Sequence, residues 1–447
     1  MTGRRVVLAV LSATLGITPT LASGATEPGA PATPPPPQSI SYYYDGFEQG
    51  LARPISRAFD PVLLVHRISG HRRESVNVDE NDRVRLPSTW WQPRLGYQAL
   101  SVGQLLGRGG SAAGPAPGKL VVVKLKTQGV SPGFQVRDAA GVRFAVKFDP
   151  PQYPDLASGA DVAVSYLYWA AGYNVPANSV LYFRRGDLEI APGATYEDDA
   201  GRKHPLTPEQ VERVLAKVRP EPDSTYRAVA SRFLPGKPLG EWHYRGRRKD
   251  DPEDLIPHEL RREVRGLWVL DAWLNNTDCS ARNTFDSWVT EGGRSFVRHY
   301  LIDFNGALGS ASIGPMTARD GSEYLMDFDA AGIALSSLGL RPPKWESAAC
   351  PEIPGVGFFE SRVFDPAHWR PFLPNPAFDE CTERDIRWGA RIVAAFTDDH
   401  IRAAIGMGRY SDPRAAEYLT RTLIERRDKI AHRWLGTPAS LAAAPKP

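Results

Sequence analysis

The sequence predicts an α+β protein of two lobes, with a β-rich lobe over residues 119–233 and a helical lobe over residues 234–436. Runs rich in Val and Phe, with partial alternation and Gly-bearing turns between them, stand close together after residue 119. A Leu-Pro-Gly break at residues 234–236 follows the last of these runs. Helix candidates gather at the C-terminal end, which favours a second lobe built mainly of helices.

Length and charge set the outer bounds. With 447 residues, of which 42% are hydrophobic and 23% charged, the chain can form a sizeable core and lacks the composition of a disordered protein. The formal net charge of +3 is close to balance, so no nucleic-acid partner is expected.

The first 25 residues have the layout of a secretory signal peptide. Arg4 and Arg5 precede the apolar run VVLAVLSATLGI, and small residues follow it. The run is short for a membrane-spanning helix, so we expect no stable span after cleavage, with an uncleaved anchor as the alternative. Residues 26–38 are rich in Pro and predict a semi-rigid tether. The protein is therefore predicted to be exported, to the periplasm or outside the cell.

Residues 39–118 show no sustained period and are predicted to be an N-terminal extension that wraps the lobes. Trp90 and Trp91 in this stretch are predicted to be packing anchors. Further on, Cys350 and Cys381 lie in a Pro-rich region, where they either form a disulfide or remain free thiols. The sequence has no C-x-x-C pair, so no zinc site is expected.

The first lobe begins with three strand candidates, VVVKLKTQ, FQVRDA and VRFAVKFD. The loop GVSPG at residues 129–133 joins the first two. A helix is then predicted over residues 158–172, with Ser158 as its cap. Two more strand candidates, VLYFRR and YRAVASRF, flank a helix that starts with a capping box at residues 207–210. The Leu-Pro-Gly break follows, and the lobes should join there.

The second lobe carries three oxygen-bearing side chains at the ends of adjoining elements. A helix predicted from Pro257 delivers Asp278 just beyond its end, and Asn283 follows five residues later. A hairpin then leads to Asp303 in the turn IDFNG. A loop and a turn can bring such groups together. Phosphoryl transfer needs a carboxylate at the acceptor hydroxyl and oxygen ligands for magnesium.

Three helices are predicted to close the lobe, over residues 383–396, 398–405 and 413–435. The tail at 437–447 is predicted to be disordered.

The D-x-x-x-x-N spacing, followed by an Asp-Phe-x-Gly turn, resembles the catalytic core of the protein-kinase-like superfamily. The Asn-Thr-Asp context at residues 276–278 is similar to that of HipA-type and spore-coat-type atypical kinases. More closely, the stretches DDPEDLIPHELRREVRGL and RHYLIDFNGALGS resemble an uncharacterised family of exported bacterial proteins, over most of the chain from Asn77 onward. The resemblance implies a two-lobed, protein-kinase-like fold.

The resemblance also implies a nucleotide site in the first lobe. Backbone groups at Gly129, Ser131 and Gly133 would approach the phosphates, and Lys147 on the third strand would reach them. Asp161 would form an ion pair with this lysine, at a position where the resemblance leads us to expect Glu. The alternative is a first-turn Asp that complements the helix dipole.

The adenine-binding hinge is predicted near residues 232–236, beginning at Arg232. The implied function is magnesium-dependent phosphoryl transfer from ATP, or another nucleoside triphosphate, to an unknown protein or small-molecule acceptor. Asp278 would accept the acceptor's proton, and Asn283 and Asp303 would bind the metal. Arg282 would neutralise developing charge or order the loop through a salt bridge.

Two alternatives stay open, because an exported protein meets little ATP. One is a catalytically silent kinase-like envelope protein that binds a ligand or partner, and the other is a nucleotidyl transferase on the same fold. His258 and His299 have no Ser or Cys nucleophile partner and are predicted to be structural.

Overall fold

The computed structural model describes residues 33–41, 46–59, 61, 72–110, 114–126, 131–198, 202–337 and 340–436. The predicted signal peptide, Gly129 and the predicted tail lie outside these ranges. Within them, none of the helices combines the length and the apolar character that a membrane crossing requires.

The strands and the α-helices of the described residues are numbered separately, each set in chain order. The strands are β1 (Leu120–Leu125), β2 (Gly133–Arg137), β3 (Arg143–Lys147), β4 (Asn178–Phe183), β5 (Leu188–Glu197), β6 (Lys203–Pro205), β7 (Tyr226–Arg232), β8 (Lys237–Gly240), β9 (Thr284–Glu291) and β10 (Arg294–Leu301). The α-helices are α1 (Arg53–Phe59), α2 (Val102–Gly107), α3 (Leu156–Ala170), α4 (Pro208–Leu215), α5 (Arg262–Leu274), α6 (Phe328–Ser336), α7 (Pro376–Asp379), α8 (Glu383–Ala394), α9 (Asp398–Gly406) and α10 (Pro413–Leu435).

The first lobe is built on a seven-stranded sheet of order β4-β7-β3-β2-β1-β5-β6. Alternation along the strands puts Val and Phe side chains on one face, where they form a core that includes Val211 and Leu215 of α4. The opposite face turns toward α3. Helix α4 starts with the predicted capping box at Thr207. The parallel pairing of β1 with β5 was not predicted from the sequence, because Pro192 and Gly193 make the β5 segment resemble a turn.

Helix α3 is the buried centre of the molecule, and its predicted start is wrong. It begins at Leu156, after Asp155 in a left-handed conformation, so Ser158 is not its cap. Instead the Asp149 carboxylate, further back along the chain, accepts hydrogen bonds from the backbone N–H groups of Ala157 at 2.9 Å and Ser158 at 2.7 Å. The acid thus satisfies the free N–H groups of the first turn from outside the helix.

The second lobe combines the small sheet β10-β9-β8 with the C-terminal helices. Its core includes residues of α5, α8, α9 and α10, and it extends to α3 and to the N-terminal extension, whose Trp90 and Trp91 are buried in it. His258 and His299 are buried beside Asp254 and Asp286, as structural residues. All three cysteines are free, so Cys350 and Cys381 form no disulfide.

The predicted fold class is confirmed. A strand-rich lobe precedes a helix-rich lobe, and residues 232–236 connect β7 of the large sheet to β8 of the small one. Helix α3 follows the third strand and packs against β4 and β7 on one side and α9 on the other. Side chains of both lobes therefore meet at this helix.

Candidate active site

Lys147 lies where the seven-stranded sheet, helix α3 and the turn at Asp303 come together. It ends β3 on the face opposite Phe144 and Val146, so its side chain points away from the first-lobe core. Its Nζ lies 2.8 Å from Asp303 Oδ1 and 4.0 Å from Asp161 Oδ2. The lysine is thus paired mainly with the second-lobe carboxylate.

Asp161 is fully buried, with 0% exposure. Its Oδ1 accepts hydrogen bonds from Asn178 Nδ2 at 2.7 Å and from the backbone N–H of Phe304 at 3.2 Å. Because α3 begins at Leu156, Asp161 lies beyond the first turn, which excludes its interpretation as a helix-dipole acid. Burial raises the pKa of Asp161 to about 6. The residue instead links the helix to the Asp303 turn.

The loop from Asp278 to Asn283 and the turn at Asp303 lie side by side. The side-chain Nδ2 of Asn283 donates to the backbone oxygen of Asp278 at 2.6 Å, which closes the five-residue loop. The backbone oxygen of Asn283 accepts from Ile302 N–H at 3.0 Å, next to Asp303. A Cβ on Gly306 would lie 3.0 Å from Asp278 Cβ. The loop and the turn are therefore in direct contact.

The electrostatics of the site follow from burial and from the short charge separations. Burial acts to lower the pKa of Lys147, but the carboxylates of Asp303 and Asp161 outweigh it and hold that pKa above its ordinary value. Burial raises the pKa of Asp278, and a hydrogen bond from Asn283 opposes the rise. A carboxylate with a raised pKa is a stronger base than an exposed one, which suits proton removal from a hydroxyl.

The described end of the predicted glycine-bearing loop, residues 131–133, lies beside Lys147. Gly133 lies across from Lys147 in the β2–β3 register, and a Cβ there would lie 2.1 Å from the backbone oxygen of Val146. Only glycine fits that approach. The backbone oxygen of Ser131 accepts from Lys126 Nζ at 3.1 Å. The described end of the loop, residues 131–133, therefore lies beside the strand that carries Lys147.

The Arg232 side chain is not brought into this cleft. Arg232 lies directly across from Phe144, so its side chain shares the face of the sheet opposite Lys147. Its backbone N–H donates to Ala177 O at 3.0 Å. A base-binding role for the 232–236 segment would have to use other backbone groups.

The donor set fits a magnesium ion that is shared with phosphate oxygens. Asn283 uses its amide nitrogen within the loop, which leaves its oxygen as the metal-ligand type of atom, and the Asp303 carboxylate is 31% exposed. Among the described residues, no group of three His, Cys, Asp or Glu side chains is arranged to hold a metal alone. Magnesium commonly takes one or two protein ligands and completes its shell with phosphate and water, so this set suffices.

One residue of the site escaped sequence analysis. Asn178, the first residue of β4, holds the buried Asp161 carboxylate in place. An Asn at the start of a strand gives no local signal for such a contact, since the two residues are brought together only by the packing of α3 on the sheet.

Comparisons with known proteins find similarities among solved structures only. No family model matches the chain, and no curated protein sequence matches it. The Helicobacter pylori proinflammatory kinase CtkA is 12% identical with a TM-score of 0.38, over 72% of this chain and 97% of that one. A Golgi casein kinase structure with Mn/ADP bound is 9% identical with a TM-score of 0.32, over 75% and 77%. These values are low, and the function proposed below rests on the site's own geometry.

Proposed function

We propose that this protein transfers a phosphoryl group from a nucleoside triphosphate, with magnesium, to a hydroxyl of a protein or small-molecule acceptor. The observation that carries the proposal is the Lys147 Nζ to Asp303 Oδ1 contact of 2.8 Å, which joins the strand beside the glycine loop to the turn beside Asp278. In this proposal Lys147 is the phosphate-binding cation, Asp303 is the metal-ligating carboxylate, and Asp278, in the loop that contacts the Asp303 turn, is the proton acceptor. These are the parts that phosphoryl transfer requires.

Each residue has a defined part in the reaction. The ammonium group of Lys147 binds phosphate oxygens and holds the phosphates in the orientation that attack by the acceptor hydroxyl requires. Asp278 takes the proton of the acceptor hydroxyl, whose oxygen bonds to the γ-phosphorus. The bond from that phosphorus to its bridging oxygen breaks, and the diphosphate leaves with the bonding electrons. Asn283 and Asp303 would hold magnesium, which neutralises charge on the phosphates when bound.

Asp161 acts through Lys147 and through the Asp303 turn. It accepts the backbone N–H of Phe304, the residue that follows Asp303, and it lies 4.0 Å from the lysine ammonium. Helix α3 therefore sets the position of both partners. Any movement of this helix would change the lysine and the metal ligand together.

The test is a thermal-shift measurement on the purified protein with nucleotides, with and without magnesium. A ligand at about one hundred times its dissociation constant stabilises the folded state by about 2.7 kcal/mol. For a chain of this size that corresponds to a shift on the order of a few degrees. We expect the shift with ATP or another triphosphate to need the metal and to disappear in Asp303→Ala.

Lys124→Ala is the matched control, because Lys124 pairs with Glu197 at 3.0 Å on the same sheet and belongs to no part of the proposed site. It should keep the nucleotide shift. A folded wild-type sample that shows no shift with any common triphosphate, with magnesium or manganese, would refute the proposed function. Radiolabelled triphosphate with candidate acceptors then distinguishes transfer from binding.

A second candidate is a catalytically silent kinase-like protein that binds a ligand or partner. It is favoured by one observation: Lys147 is closer to Asp303 than to Asp161, so the metal-ligand carboxylate is already occupied by a cation. Such a protein would show a nucleotide shift without transfer, or a shift that magnesium does not change.

Export of the protein is a separate proposal, supported by the charged start and apolar run of residues 1–25. Mature protein recovered from its host should begin near Ala25 and carry no lipid. Recovery of full-length protein from the cytoplasm would contradict it.

A further inference from the structure

Lys126 and Lys147 lie in one row across the sheet. The backbone N–H of Lys126 donates to Gly133 O at 3.0 Å, and Gly133 is the register partner of Lys147. Neighbouring strands are about 4.8 Å apart, so the two lysine Cα atoms are separated by about 10 Å. Residues in one row share a face of the sheet. Gly133, between them, has no side chain, and both lysines extend from the same face of the sheet.

The ammonium of Lys126 is only partly satisfied by the described residues. It is half-buried, and it donates to the backbone oxygen of Ser131 at 3.1 Å. No carboxylate among the described residues lies within ion-pair distance of it, whereas Lys147 has Asp303 at 2.8 Å. Burial lowers the pKa of Lys126, and the Lys147 charge lowers it further. A bound anion would relieve both effects.

We propose that Lys126 is a second phosphate-binding lysine, which together with Lys147 brackets the polyphosphate chain of the nucleotide. This inference rests on the proposed function and adds a selectivity for nucleotides according to the number of their phosphates. Two lysines whose Cα atoms are about 10 Å apart on one face can direct their ammonium groups to different phosphates of one chain. The site should therefore select triphosphates and diphosphates over monophosphates through Lys126.

The alternative is that Lys126 only anchors the glycine loop through Ser131. The two roles differ in what they predict for the nucleotide series. An anchor affects all nucleotides alike, because it shapes the loop whatever the ligand. A phosphate-binding group affects each nucleotide according to the number of phosphates it carries.

The experiment measures dissociation constants of the full chain for ATP, ADP and AMP by calorimetry at fixed magnesium. The variants are Lys126→Met and Lys126→Arg, with Lys124→Met as the control. Lys124 lies two residues earlier, on the same face, and is held by Glu197 at 3.0 Å. We expect Lys126→Met to weaken ATP binding by about 10- to 100-fold, the usual effect of losing a hydrogen bond to a charged group.

The same variant should leave AMP binding within about twofold, because AMP lacks the outer phosphates. Lys126→Arg should restore most of the ATP affinity, since a guanidinium keeps the charge. Lys124→Met should bind all three nucleotides like the wild type. An unchanged ATP affinity in Lys126→Met, or equal losses for ATP and AMP, would overturn the role of Lys126 alone. A wild-type protein that binds none of the three nucleotides would overturn the proposed function and this inference with it.

Discussion

The Lys147–Asp161 pair can be tested as a unit, because Asp161 is fully buried and its partner lies at the edge of the cleft. The Lys147 side chain is 14% exposed, and its Nζ is 4.0 Å from the Asp161 carboxylate. Replacing Lys147 by Met removes the cation but leaves the acid. Replacing Asp161 by Asn removes the charge and keeps an oxygen that can accept from Asn178 and Phe304.

The expected magnitudes follow from this geometry. Removal of one partner of a buried pair typically costs about 3–5 kcal/mol, and the partial exposure of Lys147 places Lys147→Met near the lower end, about 3 kcal/mol. Asp161→Asn should leave the free energy of unfolding nearly unchanged at pH 8, because the raised pKa of Asp161 means that burial already offsets the attraction between its charge and Lys147. The double variant should then cost about 1 kcal/mol rather than the additive 3 kcal/mol, a coupling of about 2 kcal/mol.

The assay is urea unfolding of the four proteins at pH 8, followed by circular dichroism, with equal slopes required for a valid cycle. The pKa of Asp161 is raised to about 6, so the acid is neutral in the folded protein at pH 5 and the coupling should shrink there. Additive losses within about 0.5 kcal/mol at pH 8 would show that the two charges do not interact, and the site as described would be wrong.

Three further perturbations test the chemistry and the supports of the site. Asp278→Asn should abolish transfer while leaving the unfolding free energy within about 1 kcal/mol, and normal turnover in this variant would exclude Asp278 as the base. Burial raises the pKa of Asp271 to about 7 from an ordinary 3.8, so its contribution to stability is complete below pH 3.8 and is lost as pH rises through 7. Asp271→Asn should flatten the stability profile over that range, by up to about 4 kcal/mol, in unfolding curves measured from pH 4 to 8. Arg227 forms an ion pair with Asp155 at 2.8 Å and donates hydrogen bonds to the backbone oxygens of Gly408 and Arg409 at 2.7 Å, so Arg227→Met should cost about 3–5 kcal/mol in guanidinium unfolding. A loss below about 1 kcal/mol would show that this buried contact is not a support.

Local patterns predicted the elements whose causes are local. The alternating Val and Phe residues of β1 to β3 bury one face of each strand, as the pattern requires. Helix α10 begins at Pro413 and ends at Leu435, as predicted, since Asp412 caps it and Gly436 takes the left-handed conformation at its end. The five-residue spacing from Asp278 to Asn283 forms a loop closed by its own side chain.

Contacts distant in sequence account for what could not be predicted. The start of α3 is set by Asp149, which lies in the loop before the helix and has no cap signature. Strand β5 exists because β1 offers it a free edge, which overrides the turn preference of its Pro and Gly. Lys147 and Asp303 come from different lobes. The distance of 2.8 Å between Lys147 Nζ and Asp303 Oδ1 is set by tertiary packing and could not be predicted from the sequence.

The burial of the N-terminal extension in the C-terminal core has a consequence for the timing of folding. The ring centroids of Trp91 and Trp388 are 5.4 Å apart, and the backbone oxygen of Leu100 accepts a hydrogen bond from His400 Nε2 at 2.7 Å across 300 residues of sequence. At a synthesis rate of about 5–20 residues per second, the early partners wait about 15–60 s for the late ones. During that interval the apolar surface of Trp91 has no partner from helix α8, and it is open to chaperones or to aggregation. A fragment that stops before His400 cannot complete this core, so the molecule reaches its native packing only when nearly all of its chain is available.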